Sequence, residues 1–215
     1  MALQLRGFSV GPLEENCWLV VDDVAREAVL VDPGDEADRL LAAVAASGAT
    51  LTGIWLTHAH FDHVGAVAAI KRVHDVPVYL HPLDLPLYSF AEQSAARWGL
   101  SIEQPPPPER ALADGDTVRL GSLAFTVMHA PGHAPGHVVF HGHGVALAGD
   151  CLFAGSVGRS DLPFCNPAHL AASLRRIAAL PAGTVVHPGH GPTTTIGAEL
   201  ETNPFLSGSA KVVGA

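Results

Sequence analysis

The chain has 215 residues, enough for one compact domain with a substantial core. Nearly half of it, 48%, is apolar, but no uncharged apolar run reaches the length of a membrane span, so no membrane partner is expected. A formal charge of −9 argues against nucleic acid as a partner, and the opening MALQLRGFSV lacks a secretory pattern, so a cytoplasmic protein is expected.

Residues 16–21 and 28–31 read as short strands, with Asp22 and Asp23 turning the chain between them. VDPG at 31–34 breaks the pattern, and Asp35 is placed to cap a helix carrying Leu40, Leu41 and Val44 on one face and ending at Gly48. Residues 51–56 read as a strand leading directly into 57–63, followed by a helix over about 66–74 and a buried strand at 78–80. The stretch 98–110 contains PPPPE, whose prolines lack amide donors, and reads as a loop joining a first half (about 1–97) to a second (about 111–195). The second half repeats the order: strands at 117–120, 123–129, 138–140 and 145–148, a helix over 167–179, and a strand at 184–186 that enters the loop 187–192. A single domain of two similar sheet-plus-helix units is expected. The segment from 191 to about 203 reads as one further helix.

The three cysteines, Cys17, Cys151 and Cys165, have no CxxC spacing, so neither a disulfide framework nor a thiolate zinc site is expected. The 13 histidines are the unusual feature. The sharpest cluster is His58-Ala59-His60-Phe61-Asp62-His63. In an extended segment, residues two apart point the same way, which lets His58, His60 and Asp62 converge, with His63 entering from the approach to the next helix. His133 in Ala130-Pro131-Gly132-His133, Asp150 after the strand 145–148, and His190 in His187-Pro188-Gly189-His190-Gly191 all follow strands. An unpartnered carboxylate at the end of an apolar strand is costly unless it caps or ligates. Together these are seven N and O donors at strand ends in both halves. His74, His81, His129, His137, His141, His143 and His169 match no such position and read as non-ligands. Cys151 is expected to point into the core.

THAHFDH, the PGH of His133, the GD of Asp150 and the GH of His190 resemble the ordered motifs of the metallo-β-lactamase superfamily. VDPG and residues 148–163 (AGDCLFAGSVGRSDLP) resemble more narrowly the glyoxalase II-like, hydroxyacylglutathione hydrolase branch. The resemblance covers about residues 16–191 and implies an α/β (α+β) fold, a four-layer αββα sandwich with metals at one edge. It also implies that His58, His60 and His133 hold one divalent ion, that Asp62, His63 and His190 hold a second, and that Asp150 bridges them. Imidazole and carboxylate donors suit zinc first, with iron or manganese as alternatives.

Two such ions share a water and lower its pKa, so a hydroxide between them is expected to attack a carbonyl, with Asp62 orienting or deprotonating it. A thiol, of pKa about 8.5, departs without a dedicated acid, which favours a small-molecule thioester, possibly glutathione-derived, over an amide. Arg159 falls where the branch carries a basic residue facing substrate, and a guanidinium there can pair with a carboxylate. Asp32, Thr57 and His187 adjoin the site in sequence and are expected to orient ligating histidines. Only residues 191–215 follow the last ligand, where glyoxalase II enzymes carry a helical extension that helps bind glutathione, so half of a glutathione pocket is expected to be missing. The competing expectations are a persulfide dioxygenase with one iron on a subset of these positions, a lactonase, and a metal-binding module without catalysis.

Overall fold

The computed structural model describes residues 3–210 and 212. Fourteen strands and seven α-helices follow in the order β1 (Leu3–Val10), β2 (Glu15–Asp22), β3 (Glu27–Val31), α1 (Ala37–Ser47), β4 (Thr50–Trp55), α2 (Phe61–Val64), α3 (Val67–Val73), β5 (Val78–Leu80), α4 (Leu85–Ser89), α5 (Ala91–Arg97) and β6 (Arg110–Ala111). Then come β7 (Thr117–Leu120), β8 (Leu123–His129), β9 (Val138–Gly142), β10 (Val145–Gly149), β11 (Leu152–Phe153), β12 (Ser156–Val157), α6 (Pro167–Ala178), β13 (Val185–Pro188), β14 (Thr194–Thr195) and α7 (Ile196–Thr202). Among the described residues no helix is long and apolar enough to cross a membrane.

Two six-stranded sheets carry the fold, in the orders β1-β2-β3-β4-β5-β6 and β14-β13-β10-β9-β8-β7. Strict alternation along each strand sorts side chains between two faces. In β2, Cys17, Leu19 and Val21 enter one buried cluster while Trp18 and Val20 enter another. The cluster shared by Trp18, Val20 and Trp55 with Phe125, Val127 and Phe140 lies between the sheets. There Trp55 meets Phe125 and Phe140 at ring-centroid distances of 5.6 and 5.3 Å, contacts that contribute about 0.5–1.5 kcal/mol each beyond burial. On the outer face of the first sheet lie Leu40 and Val44 of α1, Val67 and Ile70 of α3, and Ala91 and Ala95 of α5. Leu170, Leu174 and Ile177 of α6 and Ile196 of α7 cover the outer face of the second. The layers are therefore helix, sheet, sheet, helix, the expected αββα sandwich.

Several elements differ from expectation. β1 is unread in the sequence because its outward residues are polar or glycine. Helices α4 and α5 precede the proline stretch, and Arg110–Ala111 pairs in parallel with Tyr79 and Leu80, so the first sheet extends past the loop to Ala111. Asp35 does not cap α1. The N-cap is Glu36, at φ 52° without a side-chain cap bond, while Asp35 Oδ1 accepts from the Glu36 amide at 2.6 Å. The helix does end at Gly48, whose φ of 64° suits glycine.

Parallel pairing decides where the polar residues collect. β3, β4 and β5 run parallel, as do β10 and β13, so several strands release the chain at the same edge. Asp32 follows β3, Thr57 and His58 follow β4, Asp150 follows β10 and His190 follows β13. The two halves are tied at this edge by Val138 N donating to Thr57 O at 2.7 Å and Asn16 N donating to Gly189 O at 2.7 Å.

Candidate metal centre

The segment 57–63 is extended only as far as His60, which caps the short helix α2. The expectation that His58, His60 and Asp62 share one face of an extended segment is therefore corrected. The helical turn carries Asp62 and His63 away from His58 and His60 and toward His190. His58, His60 and His133 form one convergent group, and Asp62, His63 and His190 form another.

In the first group His58 Nε2 lies 3.1 Å from His60 Nδ1, which lies 2.9 Å from His133 Nε2. Burial pushes His58 well below the ordinary imidazole range, takes His60 down to about 3, and lowers His133. Three neutral rings therefore aim nitrogens at one point. In the second group, His190 Nε2 sits 3.4 Å from Asp62 Oδ2. Asp150 spans both groups, with Oδ1 3.4 Å from His63 Nε2 and Oδ2 3.5 Å from His133 Nε2 and 3.6 Å from His190 Nε2. Burial opposes charge on His63, but the carboxylates of Asp150 and Asp62 overrule it and hold the ring well above its ordinary range. His190 is raised in the same way, its burial outweighed by its bond to Asp62 and the charge of Asp150.

The distal nitrogens show which atoms face the centre. Asp32 Oδ1 accepts from the Thr57 amide at 2.7 Å, and its Oδ2 accepts from Thr57 Oγ1 at 2.6 Å. Having spent its proton on Asp32, the Thr57 hydroxyl accepts from His58 Nδ1 at 3.1 Å. His63 Nδ1 donates to the same Oδ2 at 3.1 Å. A carboxylate only accepts, so both rings carry a proton on Nδ1 and turn Nε2 to the centre. His133 Nδ1 donates to Arg159 O at 2.9 Å, and His190 Nδ1 donates to Leu13 O at 3.1 Å. Asp32 and Thr57 thus stand where they orient His58 and His63. His187 does not join them and lies edge-on against Trp18 at 4.5 Å. The Arg159 guanidinium lines the cavity but is bound to Asp161 through Nε at 2.8 Å and Nη2 at 3.0 Å.

Close approach requires glycine at 189, where a Cβ would lie 2.2 Å from Asp150 Oδ1 and 2.7 Å from His63 Cε1. Cys151, directly after Asp150, is buried in the outer core of the second sheet, as expected. All three cysteines are free.

Three residues at the centre escaped the sequence reading. Buried Asp84 accepts from Ala59 N at 3.0 Å and from Gly136 N, joining the loop of His58 and His60 to that of His133. His137 stacks on His58 at 5.0 Å and accepts from the Asp150 amide at 3.0 Å. Buried Glu15 brings Oε1 to 3.7 Å from His63 Nδ1, and burial pushes its carboxyl well above the carboxylate range. The only local signals are a charge directly before an apolar strand for Glu15 and a second GH after His133 for His137. Asp84 has none.

In front of these groups opens a cavity of about 720 Å³. Four strand ends, two convergent donor groups and a cavity over them define a candidate metal centre. The model of the metallo-beta-lactamase superfamily matches residues 10–190, and the chain belongs to that superfamily. Over 203 residues it is 35% identical to the hydroxyacylglutathione hydrolase GloC of Haemophilus influenzae, covering 92% of this chain and 95% of that one. The structure of TTHA1623 in a di-iron-bound form matches with a TM-score of 0.87 at 53% identity, over 94% of this chain and 100% of that one. ETHE1 from Myxococcus xanthus matches at 0.80 and 29% identity, over 95% of this chain and 85% of that one. These likenesses fit the glyoxalase II-like branch.

Proposed function

We propose that the protein is a thioester hydrolase working with two divalent metal ions. His58, His60 and His133 would hold one ion and Asp62, His63 and His190 the other, with Asp150 reaching both through its two oxygens. The donor set fits such ions on its own chemistry. Nε2 of His63 and Oδ1 of Asp150 are buried and face each other at 3.4 Å without a well-formed hydrogen bond, a costly state for polar atoms. The carboxylates of Asp62 and Asp150 raise His63 and His190 above the ordinary imidazole range, and cations would balance those carboxylates in their place. The second group is what favours two ions here over the single iron of a persulfide dioxygenase, which would use only a subset of these positions. Zinc and iron both suit these ligands, and the likeness to a di-iron-bound structure supports iron beside zinc.

Bound divalent ions acidify water and polarise a carbonyl oxygen. The chain supplies the rest. Asp62 lies in the cavity wall and can take the proton that an attacking water releases. The observation that carries the thioester reading is what the wall lacks: among the described residues, no Lys, Tyr, Glu or Cys lines the cavity. With Asp62 as the one carboxyl placed to pass on a proton, the site suits a leaving group that departs as its anion, and a thiolate does so near neutral pH. The 35% likeness to a hydroxyacylglutathione hydrolase points the same way. Arg159 is the cation we assign to a substrate carboxylate, released from Asp161 on binding.

The test is elemental analysis followed by thiol release from S-lactoylglutathione and simple acyl thioesters. Two ions per chain and turnover abolished by Asp62→Asn are expected. Protein that holds both ions yet releases no thiol from any of these esters overturns the reading.

A further inference from the structure

The wall of the cavity carries more apolar surface than the proposed hydrolysis requires. Phe90 stands between α4 and α5, Trp98 ends α5, and Phe164 lies in the loop before α6. They line one cavity from the two ends of α5 and from the loop before α6, yet they are 63%, 55% and 64% exposed. Large apolar side chains left in water together mark a binding surface, whereas single ones scattered over a protein mean little. Leu87, Val157 and Leu162 fill the wall between them.

Phe164 adds a second, independent sign. Its φ of 72° lies in the left-handed region, which a bulky side chain rarely adopts because Cβ crowds the following carbonyl. At 64% exposure the ring recovers little of that cost by packing within the chain. Strain of this kind gathers where a side chain is held ready for a ligand.

The charges point the same way. A glutathionyl group carries two carboxylates and an ammonium. The wall offers two guanidinium cations, Arg97 and Arg159, and Arg159 is the one assigned to a single substrate carboxylate. Its carboxylates are Asp62 and Asp150, both committed to the histidines. Besides His60, His133 and His190 of the donor groups, the remaining polar side chains in the wall are Gln93, Ser94 and Ser156. A cavity of about 720 Å³ far exceeds what a lactoyl group fills, and it matches sites that take extended, largely apolar molecules.

We propose that this cavity selects ligands with an extended apolar or aromatic acyl group, and that Phe90, Trp98 and Phe164 set the preference. The proposal rests on thioester hydrolysis for its chemistry, but its recognition step is measurable separately. Each CH₂ taken from water into such a cavity raises affinity, or kcat/KM, by about three- to fourfold.

The experiment uses N-acetylcysteamine thioesters of acetic, butyric, hexanoic and octanoic acids with the metal-loaded protein, and S-lactoylglutathione as the polar comparator. In parallel, the matching non-hydrolysable thioethers are titrated against Trp98 fluorescence, with Trp98→Phe giving the background from Trp18 and Trp55. The expected result is a rise of at least about tenfold in kcat/KM from acetyl to hexanoyl, with thioether affinity rising in step. Phe90→Ser and Phe164→Ser flatten both series, while Leu200→Ser, on exposed α7 outside the cavity, leaves them unchanged. Flat series, or a preference for S-lactoylglutathione over the hexanoyl ester, overturn the proposal and leave hydrolysis standing. Thioether affinity that rises with chain length while no ester turns over supports apolar recognition and sinks the hydrolase reading instead.

Discussion

Replacing Asp32 by Asn changes one oxygen to an amide nitrogen with almost no change in shape. The position has φ 52°, a conformation Asn tolerates better than most residues, so the backbone should hold. Oδ1 must remain an acceptor, because it receives the Thr57 amide. The new NH₂ therefore takes the place of Oδ2 and faces Thr57 Oγ1 and His63 Nδ1. Both were donors to that oxygen. The Thr57 hydroxyl becomes an acceptor and turns its own proton toward His58 Nδ1, and that ring must move its proton to Nε2. His63 is driven to the same tautomer. One isosteric substitution thus puts a proton on the metal-facing nitrogen of one histidine in each donor group. Losing an orienting partner typically costs about 10- to 100-fold in metal affinity, or about 1.4–2.8 kcal/mol, and here both sites are affected. Competition titration against a chelator, with elemental analysis after dialysis, measures the loss for each ion, and thermal unfolding of the metal-free protein checks the fold. An Asp32→Asn variant that binds both ions within threefold of the parent would show that the relay through Thr57 does not set these tautomers.

Asp84→Ala leaves the amides of Ala59 and Gly136 without their acceptor, at about 1–3 kcal/mol for each buried donor. A fall in unfolding free energy under about 1 kcal/mol would contradict the role given to Asp84. Burial pushes the Asp84 carboxyl up from 3.8 to about 6. Between those values the folded chain holds a proton that the unfolded chain has released, so this group's contribution to stability falls as pH rises through the window, by up to about 3 kcal/mol. Denaturant midpoints from pH 4 to 6 should show this component in the parent and not in Asp84→Asn. Gly189→Ala should keep the fold but displace Asp150 and His63, lowering metal stoichiometry in elemental analysis. Full occupancy by two ions in that variant would place the crowding elsewhere.

Much of this centre is written in local order. HxHxDH places four donors within six residues, so a strand end and one helical turn suffice to aim them. His133, Asp150 and His190 announce themselves because Gly and Pro beside them mark the ends of apolar runs. Alternation in β2 and β3 likewise foretells two buried faces, hence a sheet covered on both sides. The grouping was less legible. Spacing alone joined Asp62 to His58 and His60, and only the turn of α2 sends it to His190.

Other features depend wholly on distant contacts. Asp84 looks like an ordinary residue at the start of a short helix until Ala59 and Gly136 arrive from the two halves. Glu15 resembles a surface charge until β2 is paired, and His137 a loop histidine until Asp150 offers its amide. The apolar wall of Phe90, Trp98 and Phe164 comes from segments without periodicity, one of them in an unusual backbone conformation. Local periodicity and chain breakers are properties of neighbouring residues, so the sequence by itself determined the donors and the layers they hang from. Burial, tautomer and enclosure are properties of what folds against a residue, and those the tertiary structure alone decided.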